Sequence, residues 1–352
     1  MKNGVLGTDA SINKLVIARM PECSVTQELT GKCAQDIFST NLLIQEIKNS
    51  ADRLQIDVSS LEEKSLPLEL ERWLENENAN IVDTANTILK LFGERLAVIL
   101  LCLKEGHPEN RCVRKDWSDA HWEYWHNLNR IILTGGLASP PLGEHLKSCV
   151  DEVFRSSGKL PYDIVLGKDS TYAGLRGCAA YLTGESDFQV NLIFDYGQSF
   201  IKRSYVIFEN RKLKDIIILD KTLSQHVEWD IKNPEEEQKE AVSLNRHFLK
   251  TIADTITEVE AKGFTVHSQI ILSIANYVKE GVIANRGGYG KLRLIAPNYA
   301  QYLSAWLKEQ YGRNFTFTLV HDGTAMAAGY STYAESVCIS LGTAFGVGFP
   351  SG

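Results

Sequence analysis

The alternation of apolar and polar positions changes character several times along the chain. The first twenty residues look extended: GVLGTDA and KLVIARM carry alternating β-branched positions around a turn at 9–13. From Ala34 to about Lys104 the apolar positions recur at three and four, most strongly in IVDTANTILKLFGERLAVILLCL, which predicts long helices interrupted at Leu66-Pro67-Leu68. EGHPENRCVRKDW reads as a polar surface excursion, and Trp117, Trp122 and Trp125 beyond it read first as the packed side of an amphipathic helix, with a ring-stacking surface as the alternative. The pattern then switches to strand, glycine turn and helix. RIILTGGLAS is followed by a helix opened by Pro140 and Pro141 and running through Phe154, then by the strand YDIVLG and the small-residue helix STYAGLRGCAAYLT. VNLIFDYGQSFIKRSYVIFE and RKLKDIIILDK predict an antiparallel meander of three strands. Residues 233–263 form a long amphipathic helix with glutamates in its first turn. SQIILSIA is a strand, Asn298 to Tyr311 a helix, FTFTLVHDGTAMAAGY a strand, turn and helix, and VCISLGTAFGVGF two strands around a Gly-Thr turn. The class is therefore α/β with mixed sheets.

Length adds a domain count. At 352 residues the chain exceeds one ordinary core and suits two domains of roughly 150–200 residues each. The net charge of −7 argues against a nucleic-acid partner, which needs a basic face. The longest apolar run, Leu96–Leu103, ends at Lys104 and Glu105, and MKNGVLGTDA has no apolar core of a signal peptide, so no membrane partner is expected. Seven cysteines without a CxxC pair read as reduced thiols of a cytoplasmic protein.

Four segments place glycines or a carboxylate at the end of a buried strand. Asp195-Tyr196-Gly197-Gln198-Ser199 with Lys202 could aim N–H groups at a phosphate while Asp195 reaches a metal ion or its waters. Leu341-Gly342-Thr343-Ala344-Phe345-Gly346 repeats the strand, Gly-hydroxyl turn and strand. Gly135-Gly136 lets a flat ligand or phosphate approach the backbone between strand and helix. His321-Asp322-Gly323-Thr324-Ala325 puts a carboxylate at a strand mouth, where it could take a proton from a hydroxyl. Singly, each also reads as an ordinary polar hairpin, turn or helix cap.

As a set they resemble the actin-like ATPase fold, most closely the ROK (repressor, open reading frame, kinase) family of bacterial sugar kinases. The family's DxGxTxxK is matched by Asp195, Gly197, Ser199 in the threonine's place and Lys202. Its LGTGxGxG is matched by Leu341, Gly342, Thr343, Gly346 and Gly348, with Ala344 for a glycine. Its NDANAAAxGE is matched by Asp322, Ala325, Ala327, Ala328 and Gly329, its adenosine segment by IILTGGLAS and TYAGLRGCAAY, and its upstream APN by Ala296-Pro297-Asn298.

The motif order is cyclically shifted: adenosine segment, first phosphate loop, sugar motif, second phosphate loop. Joining the end of the chain to Met1 restores the family's order, so the chain resembles a circular permutant cut in the hairpin after the second phosphate loop, both termini lying on the larger lobe. The resemblance implies an actin-like ATPase (ribonuclease H-like) fold of duplicated domains with a central interdomain cleft. Residues 1–185 plus 332–352 would form the larger lobe and 186–331 the smaller.

The activity implied is ATP-dependent phosphoryl transfer to a sugar-like hydroxyl, with ATP and Mg²⁺ as cofactors and a homodimer as the assembly. Asp322 would be the general base and Asp195 the Mg²⁺ partner through water. Gly197, Gln198, Ser199, Lys202, Gly342, Thr343, Ala344, Gly135 and Gly136 would line the nucleotide, and Asn298 and His321 the substrate. The departures are specific. Val16 and Gln35 stand where the family has sugar-site glutamates, Arg19 where it has a zinc histidine, and His321 where it has asparagine. Cys33 and the unaligned Cys23 cannot close a tetrahedral site alone, so no structural zinc is expected. The alternative function is a non-catalytic nucleotide or sugar-phosphate sensor on the same fold.

Overall fold

The computed structural model describes residues 11–57, 61–167, 170–184, 189–225, 233–333 and 335–350. The extended segment expected over 1–10 lies outside the described residues. The chain divides into two compact units, one of residues 11–171 with Tyr333–Pro350 and the other of Tyr172–Thr332.

The first unit is built on a buried helix. After the short helices α1 (Ala34–Ile37), α2 (Thr40–Asn49), α3 (Ala51–Leu54) and α4 (Leu66–Leu74), α5 runs over Ala79–Glu105. Asn78 caps its start by accepting from the Asn80 N–H at 3.0 Å, and Gly106 ends it at φ 54°. Leu96 to Leu103 are without exposed surface, as expected of a helix apolar all round. Gly93 admits Cys149, whose Cβ would lie 2.3 Å from a methyl there, so α5 and α8 (Leu142–Ser157) pack with their backbones close. Between them come α6 (Pro108–Val113) and α7 (Asp119–Asn127). The first lies in the expected polar excursion, largely exposed, where Pro108 opens a short helix. Trp117, Trp122 and Trp125 are buried in this core, in keeping with the packing reading. The sheet joins β1 (Arg130–Thr134), β2 (Asp163–Leu166), β10 (Ser336–Ser340) and β11 (Gly346–Gly348) in the order β11-β10-β1-β2. β10 and β11 are antiparallel; β10, β1 and β2 are parallel. KLVIARM, expected to be extended, makes one antiparallel bridge, Val16 to Cys33, flanked by backbone hydrogen bonds of Leu15 and Ile17 to residues 31–34; Leu15 and Ile17 are buried.

The second unit holds a larger sheet of β3 (Gln189–Tyr196), β4 (Phe200–Glu209), β5 (Lys212–Leu223), β6 (Thr265–Ile274) and β9 (Thr316–His321). Its order is β5-β4-β3-β6-β9, the first three an antiparallel meander and the last three parallel. α10 (Pro234–Ala261) starts on Asn233, which accepts from the Glu235 N–H at 3.0 Å, and puts Glu235, Glu236 and Glu237 in the first turn. Leu244, Phe248, Ile252, Ile256 and Val259 form its buried stripe, packed on β6. The minor hairpin β7 (Val278–Lys279) and β8 (Val282–Ile283) precedes a 3₁₀ segment, Gly288–Leu294, and α11 (Tyr299–Tyr311). α9 (Ala173–Ala179) and α12 (Asp322–Ala328) complete the unit. They cross backbone to backbone: a methyl on Gly177 would lie 1.5 Å from the Ala325 carbonyl oxygen.

That crossing sets the unit boundary. The sequence assigns residues up to 185 to the larger lobe, whereas α9 packs on α12, β3, β4 and β6, so 172–184 group with the second unit. No helix among the described residues is long and apolar enough to cross a membrane.

Candidate functional site

Parallel pairing assembles the chemistry of the second unit. β3, β6 and β9 end at one edge in register, Asp195 beside Ser273 and Ile274 beside His321. The carboxyl ends of adjacent parallel strands are where open α/β sheets bind ligands. Asp195, expected on the first phosphate loop, is buried there. Its Oδ1 accepts from the Ser273 hydroxyl at 3.1 Å and its Oδ2 from Lys202 Nζ at 3.2 Å. Lys202 reaches it because the β3–β4 register sets the two directly opposite. Gly174 near the start of α9 faces the same carboxylate, and a methyl there would come within 2.9 Å of Oδ2.

Asp322 is the first residue of α12, one step past the end of β9. Its Oδ1 accepts from the Gly323 N–H at 2.7 Å and lies 3.1 Å from His321 Nε2. The side chain keeps 38% of its surface open. The protein packed around it raises its pKa above the ordinary aspartate value. His321 opposes that rise, Asp195 adds to it, and the Gly323 N–H and Lys202 oppose it. His321 is held below the usual histidine range, first by burial; Asp322 works against this and Arg286 with it. The ring stacks on Tyr277, centroids 4.4 Å apart at 13°, and its Nδ1 is 3.3 Å from the Thr324 hydroxyl.

The hairpin tip at Gly197, Gln198 and Ser199 is fixed from behind. The Gly197 carbonyl accepts from Ser224 Oγ at 2.7 Å and from Tyr289 Oη at 2.8 Å. Burial pushes the Tyr289 phenol up to about 12, with the Ser224 hydrogen bond opposing, so it remains a donor. Among the described residues, no acceptor meets the backbone N–H of Gln198 or Ser199.

In the first unit the two remaining glycine motifs lie side by side, because β1 and β10 pair in parallel with Thr134 opposite Ser340. The Leu341 N–H donates to the Thr134 carbonyl at 2.7 Å. Gly135 has φ 88°, and a methyl there would lie 2.5 Å from the Leu341 carbonyl oxygen, so both conformation and space require glycine. Gly136 instead faces open space, in a shallow recess with Leu68, Leu70, Leu74 and Pro141. The turn at Gly342, Thr343 and Ala344 is anchored at both ends. Thr40 N–H donates to the Gly342 carbonyl at 2.9 Å, and Asn13 exchanges two hydrogen bonds with Phe345, each 2.8 Å. The N–H groups of Gly342, Thr343 and Ala344 have no acceptor among the described residues. Such consecutive open N–H groups form an anion-binding concavity.

Asn298, expected to line the substrate, stands just before α11. It caps α11, its Oδ1 accepting from Gln301 N–H at 3.1 Å and its Nδ2 donating to the Glu280 carbonyl at 3.0 Å, so both ends of the amide are engaged in structure. Ser273, Tyr277, Thr324 and Tyr289 join the site without having been singled out in the sequence. They come from a strand end, a loop, α12 and the 3₁₀ segment; Ser273 closes an apolar run at a strand end and Thr324 lies inside the His321–Ala325 segment, while Tyr277 and Tyr289 carried no local signal.

Among the described residues no group of three or more His, Cys, Asp or Glu could by itself hold a metal ion. The donor set nevertheless fits Mg²⁺, which takes one or two carboxylates plus phosphate oxygens and waters rather than an all-protein cage. Asp195 would supply the carboxylate, and the open N–H groups of Gln198 and Ser199 in the same unit would supply donors for a phosphate. No protein-family model matches the chain, and no curated protein matches it.

Proposed function

We propose that the protein is an ATP-dependent kinase acting on a hydroxyl of a sugar or sugar-like small molecule, a cytoplasmic relative of the ROK sugar kinases on a circularly permuted actin-like fold. The observation that carries this reading is the row of Asp195, Ser273 and Asp322 at the ends of three adjacent parallel strands, beside a hairpin tip with open N–H groups. Asp322, with a raised pKa and part of its surface open, is suited to accept the proton of an attacking hydroxyl. Asp195 would hold Mg²⁺ through water, with Lys202 beside it; when bound, the ion neutralises charge on the transferred phosphate. The turn at Gly342–Ala344 and the hairpin at Gly197–Ser199 would bind phosphate oxygens, and Gly135–Gly136 with its apolar recess would back the nucleoside.

The sheets support the fold part of the proposal. β11-β10-β1-β2 and β4-β3-β6-β9 share one pattern: an antiparallel pair, then two strands parallel to its inner member. In the second unit the antiparallel pair comes first in sequence; in the first unit it comes last, as a cyclic shift of the chain requires. The test is ADP release from Mg-ATP with a panel of hexoses, amino sugars and polyols, using the wild type and Asp322→Asn. Acceptor-stimulated release that Asp322→Asn abolishes, with ATP binding retained, is the expected result. ATP binding without stimulation by any acceptor would favour the sensor, and unchanged turnover in Asp322→Asn would remove that residue as the base.

A further inference from the structure

The acceptor side of the second unit carries a cation that the phosphoryl-transfer reading does not use. The Ala284 N–H donates to the Tyr277 carbonyl at 2.9 Å and the Arg286 N–H to the Ala284 carbonyl at 2.8 Å, folding the segment after β8 back over Tyr277. The Arg286 guanidinium then lies over the Tyr277 ring, 4.8 Å from its centroid. Tyr277 stacks on His321, and His321 touches Asp322. A guanidinium, a phenol and an imidazole are therefore in successive contact up to the carboxylate proposed to receive the proton.

The charge of Arg286 is uncompensated where its neighbours' charges are matched. Lys291 is paired with Glu240, and Arg293 with Glu237 at 2.9 Å. Arg286 is exposed and meets no carboxylate among the described residues. Its field nevertheless reaches His321, where it adds to the effect of burial. An exposed, ring-supported guanidinium with its donor edge unpaired is the usual means of binding a planar or tetrahedral oxyanion.

Resting on the kinase reading, we propose that Arg286 makes the acceptor site selective for anionic compounds: the molecule presenting its hydroxyl to Asp322 also carries a carboxylate or phosphate group, bound by Arg286. Carboxylate and phosphate share the chemistry, and the test separates them. Binding of glucose, gluconate and glucose 6-phosphate to the full chain is measured by isothermal titration without nucleotide, for the wild type, Arg286→Gln, Arg286→Lys and Asp322→Asn. Thermal unfolding confirms that each variant is folded.

The wild type is expected to bind at least one of the two anions on the order of tenfold more tightly than glucose. Arg286→Gln loses that preference, Arg286→Lys regains part of it, and Asp322→Asn keeps it. Equal binding of all three compounds, no binding of either anion, or a preference that survives Arg286→Gln would overturn the proposal. So would an Arg286→Gln effect confined to the affinity for ATP, which would assign the guanidinium to the nucleotide. An anion preference that depends on Arg286, in a protein that releases no ADP with any acceptor, upholds the subsite and removes the kinase reading alone.

Discussion

Gly177→Ala tests the crossing of α9 and α12, the helix that begins at Asp322. The added methyl would sit 1.5 Å from the Ala325 carbonyl oxygen and 2.5 Å from its carbon, with Gly329 N at 3.2 Å. The two backbones would have to part by about 1.5 Å before the tightest contact reached even 3.0 Å. Both sides of the clash are main chain, so no side-chain rotation relieves it. Overpacking of this kind costs about 3 kcal/mol, the upper part of the usual range. For a unit of this size that lowers the unfolding midpoint by about 6–12 °C. Scanning calorimetry reads it directly, with Gly136→Ala as control, since Gly136 faces open space and should shift the midpoint by no more than about 2 °C. α12 begins at Asp322, so the separation also moves the carboxylate; at a temperature where the variant is folded, turnover should fall about 100-fold. A Gly177→Ala protein that melts with the wild type would refute the close crossing.

Four further outcomes follow from the site. The raised pKa of Asp322 means that the native state takes up its proton before the unfolded chain does as pH falls; stability due to this group therefore declines as pH rises from the unfolded to the native value. Asp322→Asn removes that loss, so at neutral pH its unfolding midpoint should equal or exceed that of the wild type while phosphoryl transfer disappears. In the wild type, turnover should fall on acidification through the raised pKa, and His321→Ala should move this limb to higher pH, because His321 holds the Asp322 value down. Lys202→Met leaves the buried Asp195 carboxylate with Ser273 as its remaining side-chain donor and should cost about 1–2 kcal/mol in urea unfolding, with Lys202→Arg milder. Tyr289→Phe removes one of two hydroxyls from the Gly197 carbonyl and should weaken ATP binding several-fold in equilibrium dialysis without changing the acceptor preference.

The elements that sequence reading recovers are those whose pattern is local. The meander at β3–β5, the long α10 with its Asn233 cap, and the strand-turn-helix at His321–Asp322 each announce themselves by period, cap or turn residue. KLVIARM shows the limit of alternation, which marks buried positions but not how far pairing extends: here Val16 bridges Cys33 and no longer strand forms. The boundary near 185 failed for a related reason. Ala173 to Ala179 reads as a small-residue helix, but which surface it meets depends on Ala325, about 150 residues further along. The same limit applies to the site. The strand-end carboxylates were visible, while Ser273 and Tyr277 enter through register between strands distant in sequence.

The two hydroxyls on the Gly197 carbonyl have a consequence for recognition. Ser224 follows the end of β5, and Tyr289 lies in the 3₁₀ segment beyond β8, so two distant stretches converge on one peptide group and arrest its rotation. A hairpin tip left to itself samples many orientations, and an arriving anion must select one. Here that selection is completed during folding, and the N–H groups of Gln198 and Ser199 stand oriented before any ligand is near. Binding strength at this loop is thus written partly in residues that never touch the ligand, and drift at Ser224 or Tyr289 would erode affinity while leaving the Asp-x-Gly-x-Ser motif intact.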